Sequence, residues 1–175
     1  MKNDFVFVAI ATVGLALVFP TLSAVAQQKQ QVSYKAAAEN SKFTQQQFLD
    51  VGDMPGHQVR SFEIYRTFPT DAPMINGVKL KETWTRGISD YTDNTGANTN
   101  YTMYVLENGD KFFTRSTTLA QDAGGGKLTN SSAGIILGGT GKLVGIQGIV
   151  KASGSANPKA GIVEGQTTIE YSLGK

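Results

Sequence analysis

Residues 134–148 read Gly-Ile-Ile-Leu-Gly-Gly-Thr-Gly-Lys-Leu-Val-Gly-Ile-Gln-Gly and form the most biased stretch of the chain. Between the glycines sit Ile135, Ile136, Leu137, Leu143, Val144 and Ile146. The pattern predicts a short apolar strand, a tight turn over residues 138–142 and a second strand leaving it. Glycine supplies positive φ in such a turn and lets one backbone approach another. Glycine inside the second strand fits the sharp bending of a small closed sheet.

The Gly-Gly-Thr-Gly-Lys core of this stretch invites a phosphate-binding reading, which its spacing excludes. A P-loop needs a glycine five positions before the glycine of its Gly-Lys pair and a Ser or Thr after the lysine. Those positions hold Ile136 and Leu143, and no helix-forming segment follows. The dinucleotide fingerprint fails as well, because Val144 stands where its third glycine belongs.

The start of the 175-residue chain reads as an export signal. Lys2 gives a positive beginning, residues 5–18 are almost wholly apolar, and Ala24-Val25-Ala26 is a small-x-small cleavage site. A signal peptide over residues 1–26, cut after Ala26, is therefore expected. Its apolar run is short for a membrane span and ends at Pro20, so the mature form is expected to have no membrane span. The chain has no cysteine, hence neither a disulfide nor a thiol for a lipid anchor. A periplasmic or secreted location follows as the expectation. A net charge of +2 gives no reason to expect nucleic acid.

Residues 27–46, rich in Gln, Lys and Ser, read as a flexible leader, with room for a short helix near Tyr34. The remainder, 47–175, reads as one β domain. Strands are expected at 58–68, 77–88, 101–106, 111–119, 134–138, 143–151 and 162–173. Pro-Gly at 55–56, Asn108-Gly109 and Gly124-Gly125-Gly126 punctuate them. Residues 89–100 read as a long polar loop. Along the first strand Phe62, Ile64, Arg66 and Phe68 share a face. Along the second, Leu80, Glu82, Trp84, Arg86 and Ile88 share the mostly apolar face, leaving Lys79, Lys81, Thr83 and Thr85 to solvent. Short strands at regular spacing with no convincing helix predict an all-β antiparallel sheet, closed or sandwiched.

Three pieces together resemble a known family. They are Asp53-Met54-Pro55-Gly56-His57, the run from Gly138 to Gly148, and Glu164-Gly165-Gln166-Thr167-Thr168-Ile169-Glu170-Tyr171. The chain looks like a member of the allene oxide cyclase and dirigent barrel superfamily, which carries a similar Gly-Gly-Thr-Gly-Lys-Phe-x-Gly-x-x-Gly segment. Leu143 stands in place of the usual Phe. The resemblance implies an eight-stranded antiparallel calycin-like β-barrel with an apolar pocket at one mouth. It also implies homo-oligomers and the steering of cyclisation or radical coupling of hydrophobic molecules without a cofactor. The shared glycine segment is architectural and names no catalytic residue.

Chemistry has few places to reside. With His57 the single histidine and no cysteine, zinc and copper sites built on His/Cys clusters are excluded. Asp90, Asp93, Asn94 and Asn98 lack the spacing of a calcium loop. His57 itself, at a turn into a strand with no nucleophile motif beside it, reads as structural. The suggestive set is Glu82, Trp84 and Arg86, with Tyr104 and Arg115 from neighbouring strands and Glu63 and Tyr65 as a second group. Facing inward, such charges would need each other or a ligand. The expected function is an exported barrel that binds a small hydrophobic or aromatic molecule in its mouth, with guidance of that molecule's cyclisation or coupling as the extension the resemblance implies. The alternative is a non-enzymatic barrel presenting residues 89–100 and 120–132 to a protein partner. On the first reading, Trp84→Ala abolishes a ligand-induced fluorescence change.

Overall fold

The computed structural model describes residues 29–174; the expected signal peptide lies outside them. Every regular element among the described residues is a strand or a short 3-10 turn, and all strand pairings are antiparallel. No helix among these residues is long and apolar enough to cross a membrane. The strands are β1 (Gln30–Ala36), β2 (Ser41–Asp50), β3 (His57–Thr67), β4 (Met74–Ile75), β5 (Val78–Thr92), β6 (Thr95–Leu106), β7 (Lys111–Gly124), β8 (Lys127–Gly139), β9 (Ile146–Asn157) and β10 (Ile162–Leu173).

The ten strands form one sheet in the order β1-β10-β9-β8-β7-β6-β5-β3-β2, with β4 attached to β5. The ladder ends at β1 and β2 and does not close, so the expected closed eight-stranded ladder is replaced by a ten-stranded open one. The sheet nevertheless curls: side chains from every strand except β4 line one interior cavity. Across the open edge, Gln46 Nε2 of β2 donates to the carbonyl of Pro158 at 3.0 Å. Tyr34 of β1 meets Phe68 edge to face, with ring centroids 5.3 Å apart.

Three expectations are corrected. Residues 30–36 and 41–50 are β1 and β2, not a flexible leader, and the short helix near Tyr34 is a 3-10 turn over Ala38–Asn40. The polar loop expected at 89–100 is strand on both sides of a two-residue turn. Asp93 and Asn94 both adopt positive φ (47° and 66°) there, the geometry that matches the twist of a hairpin. Likewise β7 and β8 meet at a glycine turn, so residues 120–132 offer no long loop either.

Buried apolar residues gather in two clusters, one toward each end of the interior. One cluster joins Leu80, Leu106, Phe112, Leu143, Ile146, Ile169 and Tyr171, with Ile75 of β4 packed into it. Each fully buried Leu, Ile or Phe of this kind contributes about 1.5–3 kcal/mol. The other cluster joins Phe62, Ile64, Tyr91, Ala120, Leu128, Ala156 and Val163.

The stretch at 134–148 keeps the expected strand–turn–strand order with the turn displaced: β8 runs to Gly139, a 3-10 turn covers Gly141–Leu143, and β9 starts at Ile146 rather than at 143. Its polar partner is the β6–β7 hairpin. Asp110 Oδ2 accepts the Lys142 backbone N–H at 3.2 Å, and Thr140 Oγ1 accepts the Lys111 N–H at 2.9 Å. The amide that a phosphate would use is thus held by the chain's own carboxylate. Gly141 sits at φ 55°, where a Cβ would run into the Asp110 carboxylate. Gly141→Ala is therefore expected to destabilise the fold by about 1–3 kcal/mol, read as a lowered urea midpoint at unchanged m-value.

Candidate functional site

The face of β5 is set by a bulge. Leu80 pairs with Leu106 and Glu82 with Val105, which leaves Lys81 without a partner. The extra residue reverses the in–out alternation. Thr83 and Thr85 are buried at 2% and 8% exposure, whereas Glu82 and Trp84 are only partly buried and Arg86 is exposed. The expected inward set of Glu82, Trp84 and Arg86 therefore lies on the outer face.

Five of the seven expected site residues do come together there. The Tyr65 and Trp84 rings pack with centroids 4.4 Å apart. Glu82 accepts the Tyr65 hydroxyl at 3.0 Å and the Trp84 indole N–H at 3.2 Å. Arg86 Nε donates to Glu63 at 2.7 Å, and Thr44 Oγ1 donates to the other Glu63 oxygen at 2.6 Å. The Arg86 guanidinium also lies 5.7 Å from the centre of the Trp84 ring. Desolvation, and then Glu82, pushes the Tyr65 phenol up from its ordinary pKa. Both carboxylates are engaged from within the group, so the network fastens β3 to β5. An exposed pair such as Arg86–Glu63 contributes about 0–1 kcal/mol. Arg115 is outward and exposed, paired in register with Tyr101 and Ile135, apart from this group. Tyr104 alone of the seven is interior, stacked on Phe112 at 4.2 Å.

The interior that β5, β6 and β7 line is polar. Thr83, Thr85, Ser89, Asn98, Asn100, Thr102, Thr114, Ser116 and Thr118 are all buried. Side-chain hydrogen bonds tie many of them across strands. Asn98 Nδ2 donates to the Tyr91 hydroxyl at 2.7 Å, and Asn100 Nδ2 donates to Asn98 at 2.8 Å and to Thr118 at 3.1 Å. Thr85 and Thr102 share a hydroxyl bond of 2.9 Å, and Arg66 Nη1 donates to Thr85 at 3.3 Å. The cavity these residues enclose measures about 150 Å³.

Two arginines of β3, Arg60 and Arg66, enter this space, and neither forms an ion pair with a carboxylate among the described residues. Desolvation pulls both guanidinium pKa values down. Tyr34, Tyr91 and Tyr104 are pushed the other way, chiefly by the same desolvation, and Tyr104 strongly so. Burial thus favours the neutral phenol at all three positions, and the Tyr91 hydroxyl accepts from Asn98. Glu164 is the single acid in the cavity wall, and it accepts a hydrogen bond from Ser155 at 3.0 Å.

Sequence reasoning placed Arg66 on the apolar face of β3 and missed Arg60, Tyr34 and the buried Thr, Ser and Asn residues. The usable signal was the alternation Asn98, Asn100, Thr102, Tyr104 on β6, matched by Thr114, Ser116, Thr118 on β7. It was masked because Tyr101, Met103, Phe113 and Leu119 occupy the outer positions and look like a core face.

His57 closes the end of β3. Its Nδ1 lies 2.6 Å from Asp53 and its Nε2 2.7 Å from Asp90. Carboxylates on opposite edges of one ring do not converge on a single ion, and no group of metal-ligating side chains occurs among the described residues. The pair instead fastens the β2–β3 turn to β5. No family model matches the chain, and the searches of curated proteins and of solved structures found no match.

Both carboxylates favour the imidazolium, Asp90 most, and raise the His57 pKa; the His57 hydrogen bond lowers that of Asp53. A raised histidine pKa gives stability that is complete below the unfolded value of about 6.5 and lost as pH rises through the higher folded value. A lowered aspartate pKa gives stability present above its unfolded value of about 3.9 and lost as pH falls through the lower folded value. The melting-temperature difference between wild type and His57→Gln should therefore be largest between these two ordinary values and shrink toward alkaline pH, as thermal melts across pH would show.

Proposed function

We propose that this protein is an exported, non-catalytic binding module that holds one small ring-sized molecule inside the curled sheet. On this reading the sheet works as an eight-stave barrel of the allene oxide cyclase and dirigent kind. Eight successive antiparallel ladders separate β1 from β2, so the two run in the same direction. They serve as two halves of one stave, the first half paired to β10 and the second to β3. The Gln46–Pro158 and Tyr34–Phe68 contacts support that reading, since they span the two seams this arrangement leaves.

The interior cavity carries the functional proposal. A volume of about 150 Å³ suits a benzene-sized molecule and is below the roughly 300–1,000 Å³ of sites for drug-sized ligands. Its wall mixes rings, Phe43, Phe62, Tyr91 and Tyr104, with the hydroxyl and amide groups described above. Such a mixture orients a ligand through a few polar contacts within apolar surroundings. Acid–base catalysis needs a base within reach of the reacting atom, and the wall offers none beyond the engaged Glu164. Any guidance of a cyclisation would therefore come from the shape of the cavity and the neutral Tyr34 and Tyr104 phenols.

Titration calorimetry with benzyl alcohol tests the site. Wild type should bind it saturably. Ala152→Leu, which fills the cavity wall between Ser132 and Thr167, should weaken binding by about tenfold, the effect of losing roughly 1.4 kcal/mol. Trp84→Ala should leave the affinity unchanged, because the only tryptophan lies on the outer face. Loss of binding in Trp84→Ala with retention in Ala152→Leu would move the site to the outer face and overturn the proposal.

A further inference from the structure

We infer that the end of the cavity bounded by Arg60 is a carboxylate subsite, so that the bound molecule is a small aromatic or apolar acid rather than a neutral compound. The inference rests on the interior-binding reading and adds the chemical class of the ligand.

Arg60 is 94% buried, at 6% exposure, and lines the cavity. An arginine does not discharge by losing its proton, so its charge stays inside. Four rings surround the guanidinium: Phe62 at 5.1 Å, Phe43 at 5.5 Å, Phe48 at 5.6 Å and Tyr91 at 5.9 Å from its central carbon. Cation–π attraction eases the charge but satisfies no N–H donor. Nη1 donates to Gln46 at 3.2 Å, and Nε, fully enclosed, donates to nothing. Ser89, directly opposite Arg60 in the β3–β5 register, buries a hydroxyl that likewise has no partner. A buried cation and two orphaned polar atoms at one level of the sheet are costly unless an acceptor completes them.

The required acceptor is negative, compact and double-toothed. The terminal nitrogens of a guanidinium present parallel N–H donors that match the two oxygens of a carboxylate, and those of Arg60 are not among the enclosed, unpartnered atoms. Phe43, Phe62 and Tyr91 then offer apolar walls to the rest of an aryl acid. Arg66, at the far end of the same strand face, has Thr85 as its acceptor, and Tyr34 and Tyr104 act on its charge. It therefore presents no comparable orphan.

The test uses benzoate and its neutral counterpart benzyl alcohol, titrated into the full-length mature chain by calorimetry. Wild type should bind benzoate at least about tenfold more tightly than benzyl alcohol, the worth of a charge-assisted hydrogen bond. Arg60→Gln should abolish that preference, read as the ratio of the two affinities within each variant, and Arg60→Lys should restore only part of it, since a point charge lacks the fork. In wild-type protein, the Arg60 Nε–H resonance should shift with benzoate and stay in place with benzyl alcohol. That measurement decides the matter even if the variants fail to fold. Equal affinities for the two probes in wild type, a preference that survives in Arg60→Gln, or an unmoved Nε–H signal each overturn the carboxylate subsite and leave interior binding standing. If neither probe binds, interior binding falls and takes the subsite with it.

Discussion

In a sheet curled around a cavity, position along a strand decides on which side a residue lives. Alternate side chains meet inside and their neighbours stay out, and inserting one residue exchanges the two sets. Lys81 is that residue in β5. Before it, Leu80 enters the apolar cluster toward one end of the interior. Beyond it, Thr83, Thr85 and Ser89 turn inward and Glu82, Trp84 and Arg86 turn outward. The outer network and the polar interior are thus two results of one irregularity. Strand β6 inherits the arrangement through its register with β5, and β7 through its register with β6.

A polar interior is stable only when its groups pair with one another. Each internal hydrogen bond adds about 0.5–1.5 kcal/mol net, and each buried group left unpaired costs about 1–3 kcal/mol. The Tyr91–Asn98–Asn100–Thr118 and Arg66–Thr85–Thr102 chains meet this demand. Apolar layers at both ends supply the hydrophobic burial that the middle forgoes. Against that background the incompletely bonded Arg60 is an exception with local consequences. On the outside, by contrast, Glu82 and Glu63 satisfy their neighbours and leave no such vacancy in the hydrogen-bonding pattern.

Much of the fold was legible in local chemistry. The strand over 162–173 was expected at the bounds it takes, because its β-branched and aromatic residues lie between clear turn signals. Asn108-Gly109 marked a hairpin, and Gly109 adopts the positive φ such a turn requires. Strands β1 and β2 were illegible for a physical reason. An edge strand with one paired side can be built largely from Gln, Lys and Ser, and that composition also suits a disordered leader. The candidate site was half legible. Alternation correctly made neighbours of Glu82, Trp84 and Arg86, and the β3 pairing added Glu63 and Tyr65. A bulge, however, leaves no mark in composition, so their side of the sheet was inverted. Arg60 lay outside the reading because its significance depends on Phe43 and Phe48 of β2 and Tyr91 of β5, which only the tertiary structure brings to it.

The break between β1 and β2 has a mechanical consequence. Each of these strands is hydrogen-bonded along one edge only, and no main-chain ladder crosses from one to the other. At every other boundary of the wall, parting two strands means rupturing a continuous row of amide–carbonyl bonds. Here the fastenings are a glutamine side chain on a carbonyl and one ring against another. The wall can therefore part at this seam with its backbone pairing intact, so widening the interior there disturbs side-chain contacts and no ladder.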